Sequence, residues 1–348
     1  MKDKNTISSF KRGKINENET EQKGSILAVY SNQEINEFAG VGKSKQKSLG
    51  KQNKIGKKLT SNIVLDKLEI ELKALEGDKF GQLGSKVTKF IDFILYKLAE
   101  KNSHGTTNKN EINKTIEFSL TEYIKIIGKN PYDKNVRKRV KKDIDNAVLT
   151  ASSITLFRRN DKETMMLSLS IIKSFSMKNG QAIAVVGEDL AEKLIADGYI
   201  IKIPKALFEL SDQKPSAYPV GRKLCLNWGM YSNVKSGKND KLTVKTLLKV
   251  ADIQSYEDFK EKNNRNWKKI IATPFIDTLE YLASQNIITW HFEREGEKVG
   301  KNDIFNNFTY HEFTELICKY KSLQSESIEE MQNKIKERQR TSKKRTKK

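Results

Sequence analysis

From residue 134 to residue 151 the chain reads KNVRKRVKKDIDNAVLTA. Val136, Val140, Ile144 and Val148 recur every fourth residue, which lays one apolar stripe along an α-helix. Arg137, Lys138, Arg139, Lys141 and Lys142 crowd the same segment and fall outside the stripe. The valine side must be buried against a core. The other side carries like charges that repel one another unless water or a polyanion screens them. This segment restricts the fold more than any other, because it needs a packing layer behind it and solvent or a ligand in front.

The flanking sequence supplies the packing layer. Residues 83–101, LGSKVTKFIDFILYKLAEK, place Val87, Phe90, Ile91, Ile94, Leu95 and Leu98 at helical spacing. TIEFSL (115–120) alternates as a short strand, and Ser119 or Thr121 can cap the helix TEYIKIIGK that follows. Gly128 ends that helix, and Asn130-Pro131-Tyr132-Asp133 is turn chemistry. Beyond the basic helix, ITLFRR (154–159) and MLSLSIIKSFSM (166–177) are β-rich runs joined by a polar turn at Asn160-Asp161-Lys162-Glu163. A further apolar run, QAIAVVG, and a helix, EDLAEKLIADG, complete this half.

The second half repeats the order. Residues 216–234 predict a helix, KLTV (241–244) a short strand and VKTLLKVAD a helix. SYEDFKEKNN is a short helix or turn, and 265–285 is a long helix interrupted near Pro274. IITWHFEREG (287–296) is a strand entering a charged turn. NFTYHEFTELICKYK is expected to begin as a strand and end as a helix. The repeat period is about 125 residues, too long for a solenoid, so the pattern reads as two copies of one domain.

The chain is 348 residues long, with 65 basic and 44 acidic side chains and a net charge of +21. Only 36% of it is hydrophobic, which supports a core but not one spanning the whole length. Residues 1–60 carry thirteen bases against six acids, and their one apolar cluster is Ile26-Leu27-Ala28-Val29-Tyr30. They read as a disordered basic arm. The end of the chain, RQRTSKKRTKK from Arg338 onward, has seven bases and no acid. The expected division is an arm at 1–60, domains at 61–205 and 206–323, and a basic tail at 324–348. No apolar run approaches a bilayer span, and MKDKNTISSFKRGK offers no secretory signal. Cys225 and Cys318 lie far apart, which fits a reducing cytoplasm.

Helix, short strand, helix, tight turn, basic helix, β-hairpin is the order of a winged helix-turn-helix. The fold class expected is therefore α+β, two tandem winged helix-turn-helix domains flanked by basic disordered tails. A helix fits the major groove of B-DNA, and the hairpin can lay charge on the neighbouring backbone. In the first copy Arg137, Lys138, Arg139, Lys141 and Lys142 would face double-stranded DNA, with Arg158 and Arg159 at the wing tip. In the second copy the candidates are Asn264, Arg265, Asn266, Lys268 and Lys269, followed by a wing from Ile287 to Phe308 carrying Arg294, Lys298 and Lys301. A cationic helix face is more often merely solvated. The crowding of the first makes DNA contact the stronger reading, while the second is balanced. Trp267, Trp228, Trp290, Tyr123 and Phe157 are assigned to core.

SLTEYIKIIG followed by NVRKRVKKDIDNAV, and the later SAYPVGRKLCLNWGMYSN with LTVKTLLKVAD, resemble plasmid replication initiator (Rep) proteins with tandem winged-helix domains. The resemblance covers roughly residues 83–323. It implies binding to repeated origin sites, local origin melting and recruitment of host replication proteins. It also implies a dimer–monomer balance, with the homodimer repressing its own gene.

Enzymatic chemistry is not expected. A rolling-circle nickase needs a tyrosine and a His-hydrophobic-His pair, and His104, His291 and His311 are never two residues apart. Tyr96, Tyr123 and Tyr132 therefore fall to packing or turn roles. Gly42-Lys43-Ser44 ends like a phosphate-binding loop, but Glu37 stands where its first glycine belongs. Asp143 and Asp145 point to different helix faces and suit capping or ion pairs. No cofactor or metal is implied. A transcriptional repressor of the same architecture remains the alternative, and a nicking enzyme the more distant one.

Overall fold

The computed structural model describes residues 26–55, 58–65, 68–74, 81–102, 112–160, 163–196, 198–231, 240–253 and 266–322. The fold is α+β, helices packed on antiparallel sheets. In chain order its elements begin with β1 (Ile26–Ser31), α1 (Gln33–Ala39), α2 (Lys43–Leu49), β2 (Lys51–Ile55), β3 (Lys58–Leu65) and β4 (Leu68–Lys73). The first half continues through α3 (Ser85–Asn102), β5 (Thr115–Ser119), α4 (Leu120–Ile126), α5 (Lys134–Ser153), β6 (Ile154–Asn160), β7 (Glu163–Ser170), β8 (Ile172–Lys178) and β9 (Gln181–Val186). A link of α6 (Glu188–Ala196), β10 (Tyr199–Pro204) and α7 (Lys205–Phe208) leads into the second half. That half holds α8 (Ala217–Tyr231), β11 (Lys241–Thr243), α9 (Val244–Val250), a π-helical turn Lys268–Ala272, and α10 (Thr273–Ser284). It closes with β12 (Ile288–Arg294), β13 (Glu297–Val299), α11 (Lys301–Asn307), α12 (Tyr310–Glu315) and β14 (Ile317–Ser322).

The two halves share one sheet order. In the first, β5 pairs with β9 and β9 with β8, so the strand ahead of the helix pair lies beside the last strand of the hairpin. In the second, β11 pairs with β14 and β14 with β12. Both hairpins turn on two residues with positive φ, Asn179 at 53° and Gly180 at 78°, and Glu295 at 53° and Gly296 at 90°. That is the turn whose twist suits a two-residue hairpin. The halves differ in their insertions. The first places β6 and β7 ahead of its hairpin, while the second places β13, α11 and α12 between β12 and β14.

Those insertions correct the expected wing of the first half. Residues 154–170 do not lie beside β5. They complete a five-stranded sheet ordered β2-β3-β4-β6-β7. Arg158 sits in that sheet, paired through its backbone with Leu68 and Leu167. The run 166–177 divides into two strands at Ile171, and the hairpin beside β5 is 172–186. Residues 310–322 also reverse expectation, with the helix first and the strand second. Thr309 and Glu312 form a reciprocal capping box that starts the helix. Cys318 and Tyr320 then alternate inward along β14.

The expected disordered arm is largely built into the fold from residue 26 onward; residues 1–25 lie outside the described residues. β1 pairs along its length with β10 of the link, so residues far apart in sequence close one ribbon. Val29, Ile35, Phe38 and Val41 are buried in the common core. Asp92 on α3 and Arg222 on α8 meet beneath this segment. Arg222 Nε donates to Asp92 Oδ2 at 2.7 Å and Nη2 to Oδ1 at 3.0 Å. Tyr218 Oη donates to Asp92 Oδ2 at 2.8 Å, and Arg222 also reaches Ser31 Oγ and Asn36 Oδ1. A two-point ion pair with its spare donors satisfied is the geometry that can offset burial of two charges.

The same segment grips the second half. Ser44 N donates to Asp252 Oδ1 at 2.8 Å. Lys45 Nζ donates to the carbonyls of Gly40 and Lys249. A Cβ on Gly42 would stand 2.1 Å from Asp252 Cγ, so only glycine fits there. The Gly42-Lys43-Ser44 sequence thus starts a short helix whose Ser44 amide donates to this carboxylate. Burial lowers Lys45 to a pKa of about 8, opposed by the charge of Asp252.

Candidate nucleic-acid interface

Helix α5 is built as its stripe dictates. Val140, Ile144, Ala147, Val148 and Ala151 are buried, while Val136 is half-buried at the first turn. Asp133 caps the helix, accepting from Asn135 N at 2.7 Å and Val136 N at 3.1 Å. The capping carboxylate occupies the helix start, so the cations of this helix must act through their side chains. Lys134, Lys138, Arg139, Lys141 and Lys142 are all exposed. Among the described residues no ion pair engages any of these five. Asp145 is exposed one turn beyond them, and Asp143 is paired with Lys86 of α3 at 2.9 Å.

Arg137 departs from the sequence expectation. It is half-buried, and its Nη1 donates to Thr121 Oγ1 at 3.0 Å and to Pro131 O at 3.1 Å. A Cβ on Gly180 would lie 3.4 Å from its Nη2, so the hairpin tip stands against the same guanidinium. Gly180 O in turn accepts from Leu120 N at 2.8 Å. Arg137 therefore ties α4, the turn, α5 and the hairpin together, and is a positioning residue for the cations around it. Lys173 and Lys178 are exposed on the hairpin strand β8. Lys178, beside the tip that meets Arg137, extends the cationic surface past α5, and sequence reasoning missed both by placing the wing tip at Arg158 and Arg159. The usable signal was Asn179-Gly180, a hairpin dipeptide between two β-rich runs.

The helix is held from behind by rings. Phe93 stacks edge-on to Phe118 at 5.0 Å and at a tilt to Tyr123 at 5.0 Å, with Phe90 beside both. Burial raises the Tyr123 hydroxyl above its ordinary range, as expected of a packing residue. Trp267 is also core, 5.4 Å from Phe313 and 5.8 Å from Tyr310. Trp228 and Trp290 are partly buried against the core, whereas Phe157 is half-buried on β6 outside the apolar cluster.

The second half presents less charge. Asn264 and Arg265 lie outside the described residues. Asn266 is exposed, and its carbonyl starts the following turn. Lys268 is half-buried, its Nζ donating to Phe305 O at 2.5 Å and lying 5.8 Å from the Trp267 ring centre. Lys269 is exposed, but farther along α10 the exposed charges are Asp277 and Glu280. Arg294 pairs with Glu312 at 3.4 Å and covers the Phe308 ring. Lys298 is exposed between Glu297 and the half-buried Val299. Lys301 pairs with Glu280. The side chains of Arg158 and Arg159 are outside the described set. Among the described residues no group of three or more His, Cys, Asp and Glu could hold a metal ion, and no helix is long and apolar enough to cross a membrane.

No protein-family model matches the chain, and no curated protein matches its sequence.

Proposed function

We propose that this chain is a sequence-specific double-stranded-DNA-binding replication initiator. It is built from two tandem winged helix-turn-helix domains and acts at repeated plasmid origin sites in the cytoplasm. The observation that carries the reading is the exposed cluster of Lys134, Lys138, Arg139, Lys141 and Lys142 on one rigidly backed helix. Five exposed cations with no ion pair among the described residues suit a polyanion such as a nucleic-acid backbone better than a small ligand. The shared strand order of the two halves supports the paired-domain reading. The buried Asp92–Arg222 joint supports presentation of both as one body.

In this reading α5 enters or straddles a major groove, Arg137 sets its angle, and Lys173 and Lys178 meet the adjoining backbone. The second half adds Asn266 and Lys269, with Asn264 and Arg265 just ahead of them. Binding needs neither cofactor nor covalent chemistry, and the further partners are host replication proteins and a second copy of the chain. The test places the gene and its flanking DNA on a selectable marker without another origin. Autonomous replication that is lost when Lys138, Arg139 and Lys142 are all changed to alanine supports initiation. Incubation with supercoiled origin DNA and Mg²⁺, then protease and a denaturing gel, should leave both strands intact. A tyrosine adduct would overturn the binding reading.

A further inference from the structure

We propose that Tyr132 is a stacking contact for an unpaired nucleic-acid base at the leading edge of α5, an inference that rests on the DNA-binding reading. Tyr132 is 83% exposed, the most exposed large apolar side chain among the described residues. A tyrosine in a packing or turn role would lay its ring on the protein, as Tyr123 and Tyr218 do. Here the ring stands in water while everything next to it is fixed. Gly128, at φ 68°, closes the preceding helix, with Lys129 N donating to Ile124 O at 3.0 Å. Pro131 is buried, and its carbonyl accepts from Arg137. Asn130 Oδ1 accepts from Tyr132 N at 2.9 Å, and Asp133 caps the helix that follows.

The backbone beneath the ring is thus fixed, so docking a ligand has only the side chain to order. Its surroundings select the ligand. Lys134 and Lys138 are exposed within two turns of it, and Lys129 is half-exposed just before it. Cations beside an aromatic platform are the arrangement that binds single strands, the phosphates following the charge and a base lying on the ring. In a duplex the base faces are already stacked, so the ring gains most when a base is unpaired. An initiator that melts its site creates such bases next to this helix.

The test uses the full chain and its Tyr132→Ala and Tyr132→Phe variants. A fluorescent oligothymidylate and a mixed-sequence duplex of equal length are titrated in parallel. Tyr132→Ala should bind the oligothymidylate about 5- to 100-fold more weakly, the worth of one stacked base. Tyr132→Phe should restore it, because the π-face and not the hydroxyl does the binding. Both variants should match wild type on the duplex within about twofold, which also reports an intact fold. Unchanged oligothymidylate binding in Tyr132→Ala, or equal weakening on both DNAs, would overturn the proposal. Wild-type binding to the duplex but not to oligothymidylate would overturn this proposal alone. Binding to neither would overturn the DNA reading and this inference together.

Discussion

On the first half, α5 shows five cations to solvent, and its hairpin adds Lys178 beside the Asn-Gly tip and Lys173 at its base. On the second, the equivalent hairpin turns on Glu295-Gly296 and is followed by Glu297, while Arg294 and Lys301 are taken up by Glu312 and Glu280. Lys241, His291 and Lys319 gather around Glu293 in the same way. One strand order therefore carries two electrostatic surfaces. A cation already paired with a neighbouring carboxylate releases little on meeting a phosphate, because the gain is offset by the pair it gives up. On the proposed DNA-binding reading, the difference would assign sequence-independent attraction to the first half. On that reading the second half keeps a narrower contact at Asn266 and Lys269.

The comparison requires that both surfaces belong to one body, and the largest expected effect tests that. Arg222→Ala leaves Asp92 buried with a single partner, Tyr218, and should cost about 3–5 kcal/mol, the usual result of breaking a buried pair from one side. Urea unfolding followed separately by signals from each half should show one transition shifted as a unit. A loss under about 1 kcal/mol, or two independent transitions, would mean the halves are not joined through this pair.

The hairpins give the next effect. Lys173→Ala with Lys178→Ala should weaken duplex binding about 10- to 100-fold near 0.1 M salt, two phosphate contacts' worth. Arg294→Ala with Lys298→Ala should change it by less than about threefold, since Arg294 is already paired with Glu312 and Lys298 stands alone among the described residues. Filter binding or anisotropy would measure both, and equal losses would erase the proposed difference between the halves.

The smallest effect concerns the segment bridging the halves. The pKa of Lys45 is depressed to about 8 by burial, against about 10.4 in an unfolded chain. Between those values the unfolded state binds more protons, so this lysine makes stability rise with pH across that window, and its full cost is present below it. The stability of wild type relative to Lys45→Met should therefore improve by on the order of 1 kcal/mol between pH 8 and pH 9.5. Denaturation midpoints of the two proteins at both pH values measure it. A flat or falling difference would contradict the buried placement of Lys45.

What the sequence disclosed follows from how local the signals are. The stripe at Val140, Ile144 and Val148 needs only helical periodicity, and the structure buries all three. The five-stranded sheet needs β2, β3 and β4 to find β6, a pairing across roughly a hundred residues that no local pattern encodes. For the same reason composition took residues 26–60 as unstructured, although β1 is completed by β10. The reversal at 310–322 has a local signal in Thr309 and Glu312, masked by the strand-like aromatic run NFTYHEF. Within the interface the exposed cations were legible as off-stripe positions. Arg137 was not, because its role depends on Thr121, Pro131 and Gly180 converging on one guanidinium.

The salt dependence of duplex binding tests the central claim most directly. Log K against log salt is measured for wild type, for a variant with Lys134, Lys138, Lys141 and Lys142 all changed to alanine, and for Lys269→Ala. The account predicts that the slope shrinks by about three to four units in the first variant and by no more than about one in the second. A wild-type slope near zero, or an undiminished slope in the first variant, would contradict it.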